Sequence, residues 1–147
     1  MEIILVIAIF AIVFSIGSSG YLTWRQHVSL INSREELKSA LLKAQQLATA
    51  AADNNNWGVH LETDRYILFK GSFFNETDPL NVMKELAGTQ ILNASTTVAD
   101  GAGGLGSDVV FTKFSGQTAN TGTIEIIYSP ESSIKQIINI LASGRID

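Results

Sequence analysis

The chain opens on an unbroken apolar run from Ile3 to Phe14, which Ser15, Ile16 and the small residues after it extend to Leu22 or Trp24. Of the first 24 residues 17 are apolar, and Glu2 is the only charge before Arg25. A helix over residues 1–24 is therefore apolar on every side. About 20 such residues, at 1.5 Å each, cross a ~30 Å hydrocarbon layer. Tyr21, Trp24 and Arg25 suit a membrane–water boundary. From Thr23 to Asp53 there is no Pro or Gly, and Leu37, Leu41, Ala44, Ala48 and Ala51 recur at spacings of four, three, four and three. That is one helical stripe, predicted to pack against a globular domain, with Arg34, Glu35, Lys38 and Lys43 mostly off it. Residues 25–53 thus form an amphipathic second half, and Asp53 with the three Asn after it ends the helix. One helix from about Glu2 to Ala52 is roughly 75 Å long.

Residues 54–147 read as a β-rich head. Trp57–Leu61 and Tyr66–Lys70 flank a turn-like Glu62–Arg65 and predict a hairpin. Val82–Leu86 is ambiguous, and Thr89–Ala94 reads as a strand. Asp108–Phe114 and Thr123–Tyr128 read as strands around the loop Ser115–Gly122. In Ile134–Leu141 a helical face competes with four isoleucines that favour a strand.

Glu2 stands beside the apolar run, where burying a carboxylate costs several kcal/mol unless it is paired. It either sits in a headgroup layer or pairs with a positive group on another molecule. No Lys or Arg lies in the apolar half, so a free α-amino group of a neighbouring chain would serve, setting register between identical helices. Gly17 and Gly20 interrupt this half at about 1 kcal/mol each relative to Ala, which suits a small-residue packing face or a segment that can unwind.

The run Glu2-Ile3-Ile4-Leu5-Val6-Ile7-Ala8-Ile9-Phe10-Ala11-Ile12 resembles the N-terminus of type IV pilins and type II secretion pseudopilins. Ser39 to Ala48, Trp57 to Leu61 and the closing Ser143-Gly144-Arg145-Ile146 are similar to the minor pseudopilin H or fimbrial T-type branch. The resemblance implies an α+β, type IV pilin-like fold. In it a long N-terminal helix with an apolar first half packs on a C-terminal antiparallel β-sheet domain, and it tips Ile134–Leu141 to a strand. It further implies a prepilin peptidase, an assembly platform and N-terminal methylation. Here Glu2 directly follows Met1, which leaves the methylated residue out of view; the family's helix-breaking Pro and C-terminal Cys pair are also absent.

Composition narrows the chemistry. There is no Cys, so neither a disulfide scaffold nor a thiolate zinc site can form. Net charge is -4, with 6 basic against 11 acidic residues from Asp53 onward (net -5), which argues against a nucleic-acid partner. His27 and His60 stand apart from any other candidate ligand, and no nucleophile elbow supports a Ser–His–Asp triad. The Gly-rich Asp100–Gly106 lacks the Lys-Ser/Thr of a phosphate loop. Asn75, Glu76 and Asp78, with Asn81, offer oxygen ligands for Ca²⁺ without EF-hand spacing. Asn75-Glu76-Thr77 and Asn93-Ala94-Ser95 match the N-glycosylation pattern.

No cofactor and no enzymatic activity are expected. The expected function is that of a structural filament subunit serving adhesion or motility, held in the inner membrane as precursor and on the cell surface after assembly. Its sites are Glu2 for register, Ile3, Ile4, Leu5, Val6, Ile7, Ile9, Phe10, Ile12, Val13, Phe14 and Ile16 for filament-core packing, and Gly17 and Gly20 for unwinding. A type II secretion pseudopilin, a single-pass membrane-anchored binding module and a membrane-tethered hydrolase stay open, as does a cleaved secretory signal, although nothing basic precedes Ile3.

Overall fold

The computed structural model describes residues 2–94, 98–100, 104–128 and 134–147, and within them the side chains of all but 11–20 and 22. Helix α1 spans Glu2–Thr49. A short 3-10 turn, Ala52–Asn54, follows it. Among the described residues nine strands come next: β1 Trp57–Leu61, β2 Arg65–Lys70, β3 Val82–Glu85, β4 Gln90–Ile91, β5 Val98–Ala99, β6 Leu105–Gly106, β7 Asp108–Phe111, β8 Gly122–Ile127 and β9 Lys135–Ile140.

The strands divide into two sheets, and this corrects the expected fold of a long helix on a single C-terminal antiparallel sheet. One sheet has the order β3-β2-β1-β7; in the other, β8 pairs with β9 along its whole length, and with β4 and β5 at opposite ends of its other edge, β6 closing on β5. The physical reason lies at β7. Its outer edge is already occupied, because Asn120 Oδ1 accepts the Val110 N–H at 2.9 Å and the Thr112 N–H bonds the Gln117 carbonyl. The segment after β7 therefore cannot return as a hairpin partner, and β8 starts a second layer.

Helix α1 lies in the concavity of both sheets, against β1, β2, β7, β8 and β9. Leu30, Leu37, Leu41, Ala44 and Ala48 are buried there with Val59, Leu61, Phe111, Ile124, Ile126 and Ile138. Ala51 is only half-buried, because the helix has ended and Ala51 has turned to φ 49. The carbonyl of Ala48 accepts both the Ala51 N–H at 2.8 Å and the Phe114 N–H at 3.0 Å, which ties the helix C-terminus to the loop after β7. Polar seams fix the helix lengthwise. Thr89 Oγ1 donates to Ser33 Oγ at 2.7 Å inside the core, Ser29 Oγ to the Ala87 carbonyl, and Arg34 Nε to the Ile137 carbonyl. At the other end Gln45 Nε2 donates to the carbonyls of Gly116 and Gly144. Gly144 has φ +83, and a Cβ there would fall 2.1 Å from the Gly116 oxygen, so only glycine fits this clamp.

Thr89–Ala94 yields only the two residues of β4, since Asn93 turns to φ 52 and ends the extended run. Strands β5 and β6 are two residues each and carry no periodic signal to read.

Tyr66 on β2 is 6% exposed and faces the helix near Glu36. Burial first, and the Glu36 carboxylate second, push its phenol up to about 12 from 10.0. The unfolded chain ionises this tyrosine first, so the stability it contributes is complete below pH 10 and is lost as pH rises to about 12. Tyr66→Phe is expected to flatten the alkaline limb of a denaturant-midpoint titration over that window; a limb as steep as wild type's would count against this origin.

Candidate functional site

Among the described residues, α1 hydrogen-bonds the head at Ser29, and its first fully buried side chain is Leu30. Ahead of that point Ile3, Ile4, Leu5, Val6, Ile7, Ile9 and Phe10 are 49–75% exposed. Successive helical residues turn by about 100°, so seven exposed large apolar side chains within the eight positions 3–10 leave no polar face there. A surface of this kind is stable only when surrounded, by lipid or by other helices. Glu2 is exposed in the first turn of α1. Ile12, Val13, Phe14 and Ile16 lie on the same helix, with side chains outside those described; α1 passes through Gly17 and Gly20 without a break in its backbone. At the neck, Tyr21 and Trp24 are 60% and 62% exposed, with ring centroids 6.1 Å apart, next to the exposed Arg25.

Among the described residues no helix is long and apolar enough to cross a membrane. Residues 11–20 of the expected transmembrane segment 1–24 fall outside the described side chains.

Among the described residues of the head, the groups that come nearest to a catalytic constellation surround His60. His60 borders a cavity of about 610 Å³ with Glu62, Thr63, Asp64 and Gln90. Its Nδ1–H donates to Asp108 Oδ1, with Ser107 Oγ 3.4 Å from the same nitrogen. Its Nε2 faces Glu62 Oε1 at 3.9 Å, and Phe74 stacks on the ring at 3.9 Å. A triad needs its hydroxyl at Nε2 and its carboxylate at Nδ1. Here hydroxyl and carboxylate share Nδ1, so His60 ties β1 to β7 and to the loop carrying Phe74. No sequence spacing announces this joint, because its members are 14 and 48 positions from His60.

Asn75 and Asp78 brace their own loop through their side-chain oxygens. Asn75 Oδ1 accepts the Thr77 N–H, Asp78 Oδ1 accepts the Leu80 N–H, and Glu76 faces Arg65. Among the described residues no group of three His, Cys, Asp or Glu is placed to hold a metal ion. In the Gly-rich loop, Gly104 N–H bonds Asp100 Oδ1 and Asp100 N–H bonds the Gly104 carbonyl; residues 101–103 lie outside the described set, as does Ser95 of the second glycosylation pattern. His27 is exposed on α1.

Sequence reasoning missed Leu30 and Ser33 as packing residues. The stripe in fact runs Leu30, Ser33, Leu37, Leu41, Ala44, Ala48 at helical spacing. The serine interrupts its apolar pattern and is accommodated only because Thr89 supplies a partner.

Compared with known proteins, the chain matches no family model, no curated protein and no solved structure.

Proposed function

We propose that this chain is a structural subunit of a type IV pilus-like surface filament, polymerising through its N-terminal apolar helix and serving adhesion or motility. The observation that carries the reading is the stretch Ile3–Phe10, exposed on every side of the helix. Burying one such side chain gains about 1.5–3 kcal/mol, and several per copy provide a strong drive to bundle. The inner membrane shelters this surface before assembly, and copies of the same chain shelter it afterwards. A prepilin peptidase and an assembly platform act in between. The head stays outside, with no cofactor and no catalytic duty.

Within the bundle Glu2 pairs with a positive group of the neighbouring copy and so sets axial register. Glu2→Ala leaves that group buried and unpaired, at a cost of about 3–5 kcal/mol. Electron microscopy of sheared cell-surface filaments, counted against subunit abundance by mass spectrometry, tests this. The variant is expected to lower filament number by more than about a hundredfold at unchanged subunit level. Filaments at wild-type yield would remove the register role, and a chain that never leaves the monomeric state would remove the filament reading itself.

A further inference from the structure

Most sheet edges in the head are at least partly covered among the described residues. β7 is covered by Asn120 and Gln117, β9 by Arg145–Asp147 at its Asn139–Leu141 end and by Arg34 on the Ile137 carbonyl, and β4 by Thr63, while β6 is only two residues long. β3 is open along its whole length. It ends the order β3-β2-β1-β7, its four residues are all exposed, and Val82 and Met83 are each 55% exposed. An edge left open with apolar side chains is a template for another strand.

The backbone orientation follows from the register. Leu86 N–H bonds the Asp64 carbonyl, so with period-two alternation Lys84 and Val82 turn their N–H and C=O toward β2. Met83 and Glu85 turn theirs outward. Both faces beside this edge are grooved. On the helix side a groove of about 270 Å³ runs past Val82, Lys84, Leu68, Ala40 and Lys43. On the other side one of about 370 Å³ runs past Met83, Ile67, Phe74, Glu76, Asp78 and Asn81. The Asn81 side-chain oxygen is buried without a hydrogen-bond partner, leaving an acceptor at the foot of β3 that an incoming donor would satisfy.

We propose that β3 is a strand-addition site for an extended segment of another protein. That segment carries aliphatic side chains at alternate positions, an acidic one toward Lys43 and a basic one toward Glu76 and Asp78. Charge selects this occupant. On the helix side Lys84 is paired with Glu36 at 2.9 Å, and among the described residues Lys43 is the charge lining that groove without an ion-pair partner. On the far side Arg65 also lines the groove, but it is held by Glu62 at 2.6 Å, and Glu76 with Asp78 keeps that side net negative. A second copy fits poorly. Antiparallel pairing of β3 with itself is two-fold about an axis normal to the sheet, so each groove continues into its own copy and like charges meet. Main-chain hydrogen bonds give such sites their affinity and the flanking pockets their specificity.

The test uses the full chain in detergent and the capped strand peptide TEVVKVT, which places its acid and its base on opposite faces. Its control is the same peptide methylated at its backbone amides. Amide hydrogen exchange is read at Met83 and Glu85. Saturating peptide is expected to slow exchange there by about tenfold or more, and the methylated peptide to leave it unchanged. Met83→Pro removes an outward N–H without touching the β2–β3 ladder and is expected to abolish the protection. Because Met83→Pro can also perturb folding, the two peptides on the unaltered chain decide by themselves. Absence of protection, protection confined to other strands, or equal protection by the methylated peptide overturns the proposal. So does protection of β3 without peptide in a species that sediments as a dimer, which would assign the edge to a second copy.

Discussion

Ile7→Asp is expected to abolish filaments while leaving the head as stable as before. Ile7 is 63% exposed, far along α1 from Leu30, the first fully buried side chain among those described, so the folded domain loses nothing when it changes. Substitutions at such positions shift stability by within about 0.5 kcal/mol. In an assembled bundle the same position is surrounded. There the change forfeits about 1.5–3 kcal/mol of apolar burial. It also buries an unpaired carboxylate at a cost of several kcal/mol. Insertion of the precursor suffers as well, since an acid at the centre of a membrane helix costs about 2.5–3.5 kcal/mol. These costs act on every copy, so filament number should drop below detection in electron micrographs, with the melting transition of the detergent-solubilised chain unmoved. Ile7→Leu keeps volume and polarity and should assemble normally. Abundant filaments from Ile7→Asp would show that this surface is not where copies meet.

The second large effect is expected at Leu41, in the half of the helix that does touch the head. Leu41 is fully buried among residues of both sheets. Leu41→Ala removes its buried methyl groups and leaves a cavity that the surrounding strands cannot close, which costs about 2–5 kcal/mol. Against a total of about 5–15 kcal/mol this is a severe loss, and the melting temperature should fall by about 10 °C or more. The neighbouring Leu42 is 38% exposed on the opposite side, and Leu42→Ala should cost under about 1 kcal/mol. Thermal melts of the two variants side by side check which face of α1 the head holds. Equal losses would mean that the helix is rotated from the orientation described.

The chain's local elements were largely legible from residue order. Period 3.6 placed the face Leu37, Leu41, Ala44 and Ala48 that lies buried in α1, because helical spacing alone brings those positions together. Alternation and turn residues placed the hairpin of β1 and β2, whose pairing is local. The isoleucine run of β9 read equally as helix or strand, and the structure makes it a strand. The candidate assembly surface was legible too, since an all-apolar run has no face to hide and needs no partner in the same chain to be recognised. What only the tertiary structure decided was non-local. The division into two sheets depends on Asn120 and Gln117 closing the edge of β7, and neither residue type marks that role in sequence. The inclusion of Ser33 in the core depends on Thr89, 56 positions away. The open edge of β3 exists only by contrast with edges that distant segments happen to cover. Hydrogen bonds between remote groups follow from where the chain is carried in space, and side-chain periodicity holds no record of that path.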